Sequence, residues 1–127
     1  MGKPFGYSYL LDMYGVKPGL CDDIELHYRF LEDLVVLIGM TPMAPPIVIH
    51  GPRRDGIELY PLKSGVSAIQ FLIESSIVQH SIEPTHFSSL DVYSCAKFDP
   101  KEVFKFAQKT WKFSRFEENF VPRGISY

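Results

Sequence analysis

The stretch SAIQFLIESSIVQH, residues 67–80, begins as a buried strand and then turns polar. Its first seven residues are mostly apolar and are typical of a strand in a sheet. A carboxylate, two hydroxyls and an imidazole then follow within seven residues. Two interpretations stay open at this point. Either the strand ends with its polar groups facing water, or the backbone itself reacts between Glu74 and Ser75.

Two helices are predicted on either side of this stretch. Asp22 and Glu25 match the capping-box spacing, and apolar residues at helical spacing follow them until Gly39 can end the helix. Asp99 fits the N-cap of a second helix, with Pro100 in its first position.

Strands are predicted over residues 5–14, 47–50, 57–60, 66–74 and 88–95. The second and third would form a hairpin around a Gly- and Pro-containing turn. Residues 112–127 have no clear period and resemble an arm or tail. This order predicts an α+β fold, a two-layer αβ sandwich in which two helices pack on one face of a mostly antiparallel sheet.

Composition points to one domain spanning residues 1–127, because 46% of the chain is apolar and 14% is aromatic. The formal net charge of −2 is too small to steer nucleic acid or an anionic membrane. No apolar run reaches the ~18 residues that span a bilayer, and the N-terminus lacks the apolar region of a signal peptide. We therefore predict a cytoplasmic protein without nucleic-acid or membrane partners, whose two cysteines are thiols.

A peptide bond that precedes serine has a chemistry of its own. The serine hydroxyl can attack the carbonyl carbon before it and convert the amide to an ester. Elimination then cuts the chain and leaves dehydroalanine, which hydrolyses to a pyruvoyl group. The first step needs local strain or polarisation, a base, and donors for the oxyanion.

Three motifs in the chain resemble those of one family. GVSAIQFLIESS (65–76), the histidine at position 80 and LDVYSC (90–95) resemble the prokaryotic S-adenosylmethionine decarboxylases, which depend on a pyruvoyl group. FGYSYLLDMYGVKPGLCDD (5–23) is similar to the opening strand and first helix of that family. The resemblance extends over about residues 5–110, with matching spacing between the key positions.

The resemblance implies that the chain cleaves itself between Glu74 and Ser75, into residues 1–74 and 75–127. Ser75 would become the covalent pyruvoyl cofactor at the new N-terminus. Its carbonyl would form a Schiff base with the substrate amine and act as the electron sink when carbon dioxide leaves.

The same resemblance implies that His80 and Ser67 assist the cleavage and that Cys95 reprotonates the product. A thiol is largely protonated at neutral pH and can donate a proton. Ser67 and Ser75 are eight residues apart and would share a strand face, whereas Ser75 and His80 are five apart and would lie on opposite faces. We therefore expect a bend or bulge between Ser75 and His80 if both act at one site.

Substrate contacts are implied at Tyr60, Ile77, Ile82 and Glu83. Ile82 stands where the family has an adenine-stacking Trp, and Pro84 stands where it has a Glu that binds the ribose. Losing both contacts would weaken nucleoside binding about a hundredfold or more. We therefore favour a smaller substrate, L-ornithine or L-arginine, whose distal cation Glu83 or another acid would meet. The alternative is S-adenosylmethionine (AdoMet) itself.

Structural roles for the same residues stay open. Ser75 and Ser67 could be ordinary strand residues, His80 a hydrogen-bonded structural histidine, and Cys95 a small core residue. A non-catalytic paralogue that activates a partner is a further alternative. The histidine spacing matches no standard ligand set, so no metal is expected. The resemblance implies a homodimer with its active sites near the interface.

Overall fold

The computed structural model of the protein describes residues 2–127. Its strands are β1 (Gly6–Tyr14), β2 (Ile47–His50), β3 (Arg53–Arg54), β4 (Ile57–Glu58), β5 (Gly65–Leu72), β6 (Ser75–Ile82), β7 (Phe87–Ser94) and β8 (Arg115–Arg123). Its two α-helices are α1 (Ile24–Leu37) and α2 (Pro100–Trp111). Six strands form one sheet in the order β2-β5-β6-β7-β1-β8, and every neighbouring pair is antiparallel.

Both helices pack on one face of this sheet. Alternate strand residues such as Leu11, Ile77 and Leu90 are fully buried, and they join one core cluster with the apolar faces of α1 and α2. Phe30 of α1 stacks on Phe106 of α2, with ring centroids 5.1 Å apart. Fully burying a side chain of this size stabilises the fold by about 1.5–3 kcal/mol. The predicted α+β sandwich is confirmed.

The two helices begin close to where the sequence places them. Asp99 caps α2 as predicted, because its Oδ1 accepts from the Lys101 N–H at 2.9 Å. The cap of α1 is Asp23 and not Asp22, since Asp23 accepts from the Leu26 N–H at 2.9 Å. A 3-10 turn over Leu20–Asp22 delays the helix by one residue.

The predicted hairpin of residues 47–50 and 57–60 is wrong. Strand β2 pairs with β5 instead, with Ile47 opposite Ile69. A small hairpin of β3 and β4 forms inside the connecting segment, with Arg53 opposite Glu58. The long edge of β5 offers β2 a full ladder, which the short β4 does not.

Two strands of the six-stranded sheet were not predicted from the sequence. In β6 the buried positions include the polar Gln79 and Ser81, so the expected apolar alternation is missing. A buried network pairs most of these groups: Ser81 Oγ lies 2.7 Å from Nε2 of His27 and 2.8 Å from Oγ of Ser88, and Gln79 Nε2 donates to Ser88 Oγ at 3.0 Å. The Oε1 atom of Gln79 is buried without a partner. The predicted arm is also wrong, because β8 pairs with β1 as an exposed edge strand.

The second face of the sheet carries no helix, and we call it the open face. It presents both apolar and polar side chains to solvent, among them Leu10, Asp12, Ile49, Ser67, Ile69, Phe71, Val78, His80 and Asp91. Among residues 2–127, no helix is long and apolar enough to cross a bilayer.

Candidate active site

The Glu74–Ser75 peptide lies at a tight hairpin. Leu72 and Ser75 are directly paired across β5 and β6, so Ile73 and Glu74 alone form the turn. Ser75 also pairs with Ser94 at the end of β7. The candidate scissile bond is therefore fixed by strands on both sides.

The backbone at Ser75 is strained. Its φ is +147°, whereas the other non-glycine residues with positive φ in residues 2–127 lie close to +51°, in the ordinary left-handed region. A non-glycine residue held in so sparsely populated a conformation costs about 1–3 kcal/mol and persists only where its surroundings impose it. Strain of this kind is what an amide needs before a hydroxyl can attack it.

The carbonyl of Glu74 is already polarised. It accepts a hydrogen bond of 2.9 Å from the backbone N–H of Cys95, which follows β7 directly. This carbonyl carbon is the one that the Ser75 hydroxyl would attack. The same N–H would stabilise the oxyanion that forms there.

The side chain of Glu74 is held as well. Its carboxylate accepts from the Thr41 N–H at 2.9 Å and from the Thr41 hydroxyl at 3.1 Å. The backbone bond from Thr41 holds the pKa of Glu74 below its usual range. Thr41 was missed by sequence reasoning, because nothing in the sequence relates it to a residue 33 positions away.

Ser67 and His80 form a pair of their own. They lie opposite each other across β5 and β6 on the open face, with Oγ and Nδ1 2.9 Å apart. The predicted bend is wrong, because β6 keeps an unbroken register with both neighbours. Ser67 and Ser75 also lie on different strands, since the hairpin reverses the chain between them.

This regular strand keeps the two groups apart within one chain. Five residues of β6 separate Ser75 from His80, which is about 16 Å at the strand rise. The structure brings Ser75, Glu74 and Cys95 together at one end of β6 and leaves the Ser67–His80 pair near its middle.

Cys95 is exposed beside a cleft of about 530 Å³. Aromatic side chains and two lysines line it, chiefly Lys3, Tyr7, Lys97, Phe98 and Phe120. The cleft has the size of a small-molecule site.

The predicted substrate contacts are scattered. Ile77 is 0% exposed in the core, which argues against a contact with substrate. Tyr60 is 65% exposed, in the segment before β5. Ile82 and Glu83 lie at the other end of β6, where Ile82 is about 23 Å from Ser75. The Glu83 carboxylate accepts from the N–H groups of Gly19, at 2.8 Å, and Cys21, at 3.1 Å. It anchors a turn and is not free to meet a cation.

Within residues 2–127, no group of three or more His, Cys, Asp or Glu residues is placed to hold a metal ion.

Comparison with known proteins gives a consistent result. A family model described as S-adenosylmethionine decarboxylase matches residues 7–124. An S-adenosylmethionine decarboxylase proenzyme from Persephonella marina is 27% identical over 125 residues, 98% of this chain and 86% of that protein. One from Sulfolobus acidocaldarius is 29% identical over 72 residues, 56% of this chain, and the match spans only 59% of the length of that protein.

Two further similarities concern function and fold. An arginine decarboxylase proenzyme from Pyrobaculum arsenaticum is 33% identical over 63 residues, 49% of this chain and 47% of that protein. The crystal structure of the adenosylmethionine decarboxylase from Aquifex aeolicus matches with a TM-score of 0.78 and 21% identity, covering 98% of this chain and 94% of the other. This last likeness shows a common fold.

The strain at Ser75 can be measured in uncleaved variants. Ser75→Gly should be more stable to denaturant than Ser75→Ala by about 1 kcal/mol, because glycine tolerates the positive φ and this relief exceeds its entropic cost. Ser76 in the regular part of β6 is the control. In the Ser75→Ala background, Ser76→Gly should be about 0.5–1 kcal/mol less stable than Ser76→Ala. A glycine at position 75 that destabilises as much as one at 76 would show that the backbone is unstrained.

Proposed function

The chain belongs to the S-adenosylmethionine decarboxylase family, and on that premise we propose that it is a self-cleaving, pyruvoyl-dependent decarboxylase of polyamine biosynthesis. The observation that carries the proposal is the environment of the Glu74–Ser75 bond. A strained serine follows a carbonyl that already accepts a hydrogen bond from Cys95.

The cleavage is an intramolecular rearrangement. The Ser75 hydroxyl oxygen bonds to the Glu74 carbonyl carbon, the carbon–nitrogen bond breaks, and the hydroxyl proton is transferred to the freed nitrogen. Loss of the Ser75 Cα proton then breaks the Cβ–O bond, which leaves Glu74 as a carboxylate and residue 75 as dehydroalanine. Water finally replaces the nitrogen and releases ammonia. The products are residues 1–74 and a chain 75–127 that begins with a pyruvoyl group.

The surrounding residues fit such a group. The pyruvoyl ketone supplies a carbonyl that condenses with a substrate amine and draws in the electron pair that carbon dioxide leaves behind. Cys95 lies at the end of β7, beside the strand end that carries Ser75 and on the edge of the cleft. From there its exposed thiol can return a proton to the product carbon.

Self-cleavage also needs a base, and the nearest candidate pair in the chain is too far from Ser75. Ser67 and His80 lie on the open face, about 16 Å along β6. A second copy of the chain can bring its own Ser67–His80 pair close to Ser75. We propose a homodimer in which the open faces of two sheets pack against each other.

Geometry and burial support this arrangement. The open face exposes large apolar side chains, including Ile49 and Phe71, which a facing sheet would cover. A two-fold axis of such a dimer would lie between the two sheets and perpendicular to their strands. Along β6, it would pass midway between Ser75 and His80. It exchanges the two positions along the strand, so His80 of the partner subunit lies opposite the Glu74–Ser75 peptide, whose backbone is on the open side because Ser75 pairs with the core-facing Leu72 and Ser94. Packed sheets lie about 10 Å apart, and the partner's imidazole crosses most of that gap toward the Glu74–Ser75 peptide.

Mixed dimers test this arrangement. Ser75→Ala and His80→Ala chains with different tags are each expected to stay whole when expressed alone. When they are coexpressed, one site combines Ser75 of one chain with His80 of its partner. The His80→Ala chain should therefore be cleaved, and a denaturing gel of tag-purified mixed dimers would show it.

A double variant gives the control for that experiment. A Ser75→Ala/His80→Ala chain offers no imidazole at position 80, so it should not restore cleavage of the His80→Ala chain. Mixed dimers in which the His80→Ala chain stays intact beside Ser75→Ala would rule out a partner-supplied histidine.

For the substrate we propose a basic amino acid, L-ornithine or L-arginine. Ile82 offers no aromatic platform for adenine, and Glu83 is engaged with backbone amides. The open face instead carries carboxylates close to the Ser67–His80 pair, and in the proposed dimer the pair of one subunit lies near Ser75 of the other. Asp91 pairs with Val78 of β6 and lies beside Asp12, and burial followed by repulsion from Asp12 raises its pKa. A distal ammonium or guanidinium would relieve this repulsion, so Asp91 is a better cation partner than Glu83.

Turnover of S-adenosylmethionine is the second candidate, favoured by the description of the family and of most relatives named above. A chain that stays uncleaved in every preparation would instead point to the non-catalytic paralogue.

Carbon dioxide release separates the substrates. Purified protein is assayed in parallel with L-ornithine, L-arginine, L-lysine and AdoMet, and we expect turnover of ornithine or arginine. Asp91→Asn should raise KM for that amino acid about tenfold or more, since a hydrogen bond to a charged group is lost. Asp33→Asn on the exposed surface of α1 is the matched control and should leave KM unchanged. Turnover of AdoMet alone would refute the substrate proposal.

A further inference from the structure

We propose that Thr41 is a positioning residue for self-cleavage. It belongs to residues 40–43, a segment after α1 that we call the strap. Through the strap, Thr41 holds the Glu74–Ser75 peptide in the conformation from which the hydroxyl attacks. This inference rests on the proposed function, because it concerns the rate of the same cleavage.

The strap binds the scissile hairpin through four hydrogen bonds. The Ile73 N–H donates to the Thr41 carbonyl, and the Met43 N–H donates to the Phe71 carbonyl, both at 2.9 Å. The N–H and hydroxyl of Thr41 donate to the two carboxylate oxygens of Glu74, at 2.9 and 3.1 Å. One residue thus contacts both the backbone and the side chain of the turn.

The strap also contacts the end of β7, on the other side of the Glu74–Ser75 peptide. The Ser94 hydroxyl donates to the sulfur of Met40 at 3.4 Å, and it accepts from the Ala96 N–H at 3.0 Å. These bonds fix the turn that carries Cys95, whose N–H holds the Glu74 carbonyl. The donor and the acceptor of the central hydrogen bond are therefore both anchored to the same short segment.

Holding Glu74 at two points explains where the strain comes from. Cys95 fixes its carbonyl and Thr41 fixes its carboxylate, so the residue cannot rotate to relax the following peptide. The unfavourable φ then remains at Ser75. In the step that follows, a bond forms between the Ser75 oxygen and the Glu74 carbonyl carbon as the bond to the Ser75 nitrogen breaks. Restraining that carbonyl favours the attack.

The position of Thr41 allows this role to be separated from folding. Its side chain is exposed, so removing the hydroxyl should alter the free energy of unfolding little. Once cleavage has occurred, the restrained peptide no longer exists. Turnover by cleaved chains should therefore not depend on the hydroxyl.

The test uses the full-length chain and three threonine variants. Thr41→Val keeps the shape and the backbone N–H but lacks the hydroxyl, and Thr41→Ser keeps the hydroxyl. Thr85→Val makes the same change at an exposed threonine in the turn between β6 and β7. The fraction cleaved is followed by denaturing gel after synthesis. Thr41→Val should cleave about tenfold more slowly than the wild type, since Glu74 loses one of its anchors and the peptide can leave the conformation for attack, and the other two variants should match the wild type.

Two further readouts exclude a merely structural effect. The unfolding midpoint of Thr41→Val and its carbon dioxide release per pyruvoyl group should both equal those of the wild type. Wild-type rates of cleavage in Thr41→Val would overturn the inference, as would a Thr41→Ser variant that is equally slow. Slow cleavage accompanied by a lower midpoint and lower turnover would also overturn it. Failure of the wild type itself to cleave would instead refute the proposed function.

Discussion

The hydrogen bond from the Cys95 N–H to the Glu74 carbonyl is the contact on which the site depends. It can form only because β6 lies between β5 and β7, so that the β5–β6 turn meets the end of β7. The same contact fixes the peptide before Ser75 and places the Cys95 thiol beside it. A strain of about 1–3 kcal/mol is a noticeable fraction of the 5–15 kcal/mol by which domains are usually stable. The buried core beneath the sheet must offset it.

A one-sided sandwich explains how the components of the site are distributed. The helices cover one face of the sheet, where a buried polar network replaces the apolar residues expected in β6. The other face is left with the Ser67–His80 pair, several carboxylates and exposed apolar side chains. Since β6 keeps its register from Ser75 to Ile82, one chain does not unite Ser75 with His80. In the account proposed above, the fold therefore makes cleavage a property of two subunits.

Sequence reasoning succeeded where the determinants are local. The cap at Asp99 with Pro100 behind it, and the alternation of β1, depend on neighbours within a few residues. It failed where tertiary contacts decide. The polar pattern of β6 is stable only with His27 and Ser88 in place, and β8 is an edge strand that buries no residue fully. The contact of Thr41 with Glu74 exists only after both segments have folded. The motif spacing singled out Ser75 and His80 but could not show that an unbroken stretch of β6 separates them.

The mass of the purified, catalytically active protein tests the central claim most directly. Self-cleavage predicts two chains, residues 1–74 and a second chain that is one ammonia lighter than residues 75–127 with an N-terminal serine. The Ser75→Ala variant should appear as a single chain and release no carbon dioxide. A catalytically active preparation that contains only the unbroken polypeptide, or a Ser75→Ala variant with undiminished turnover, would contradict the account.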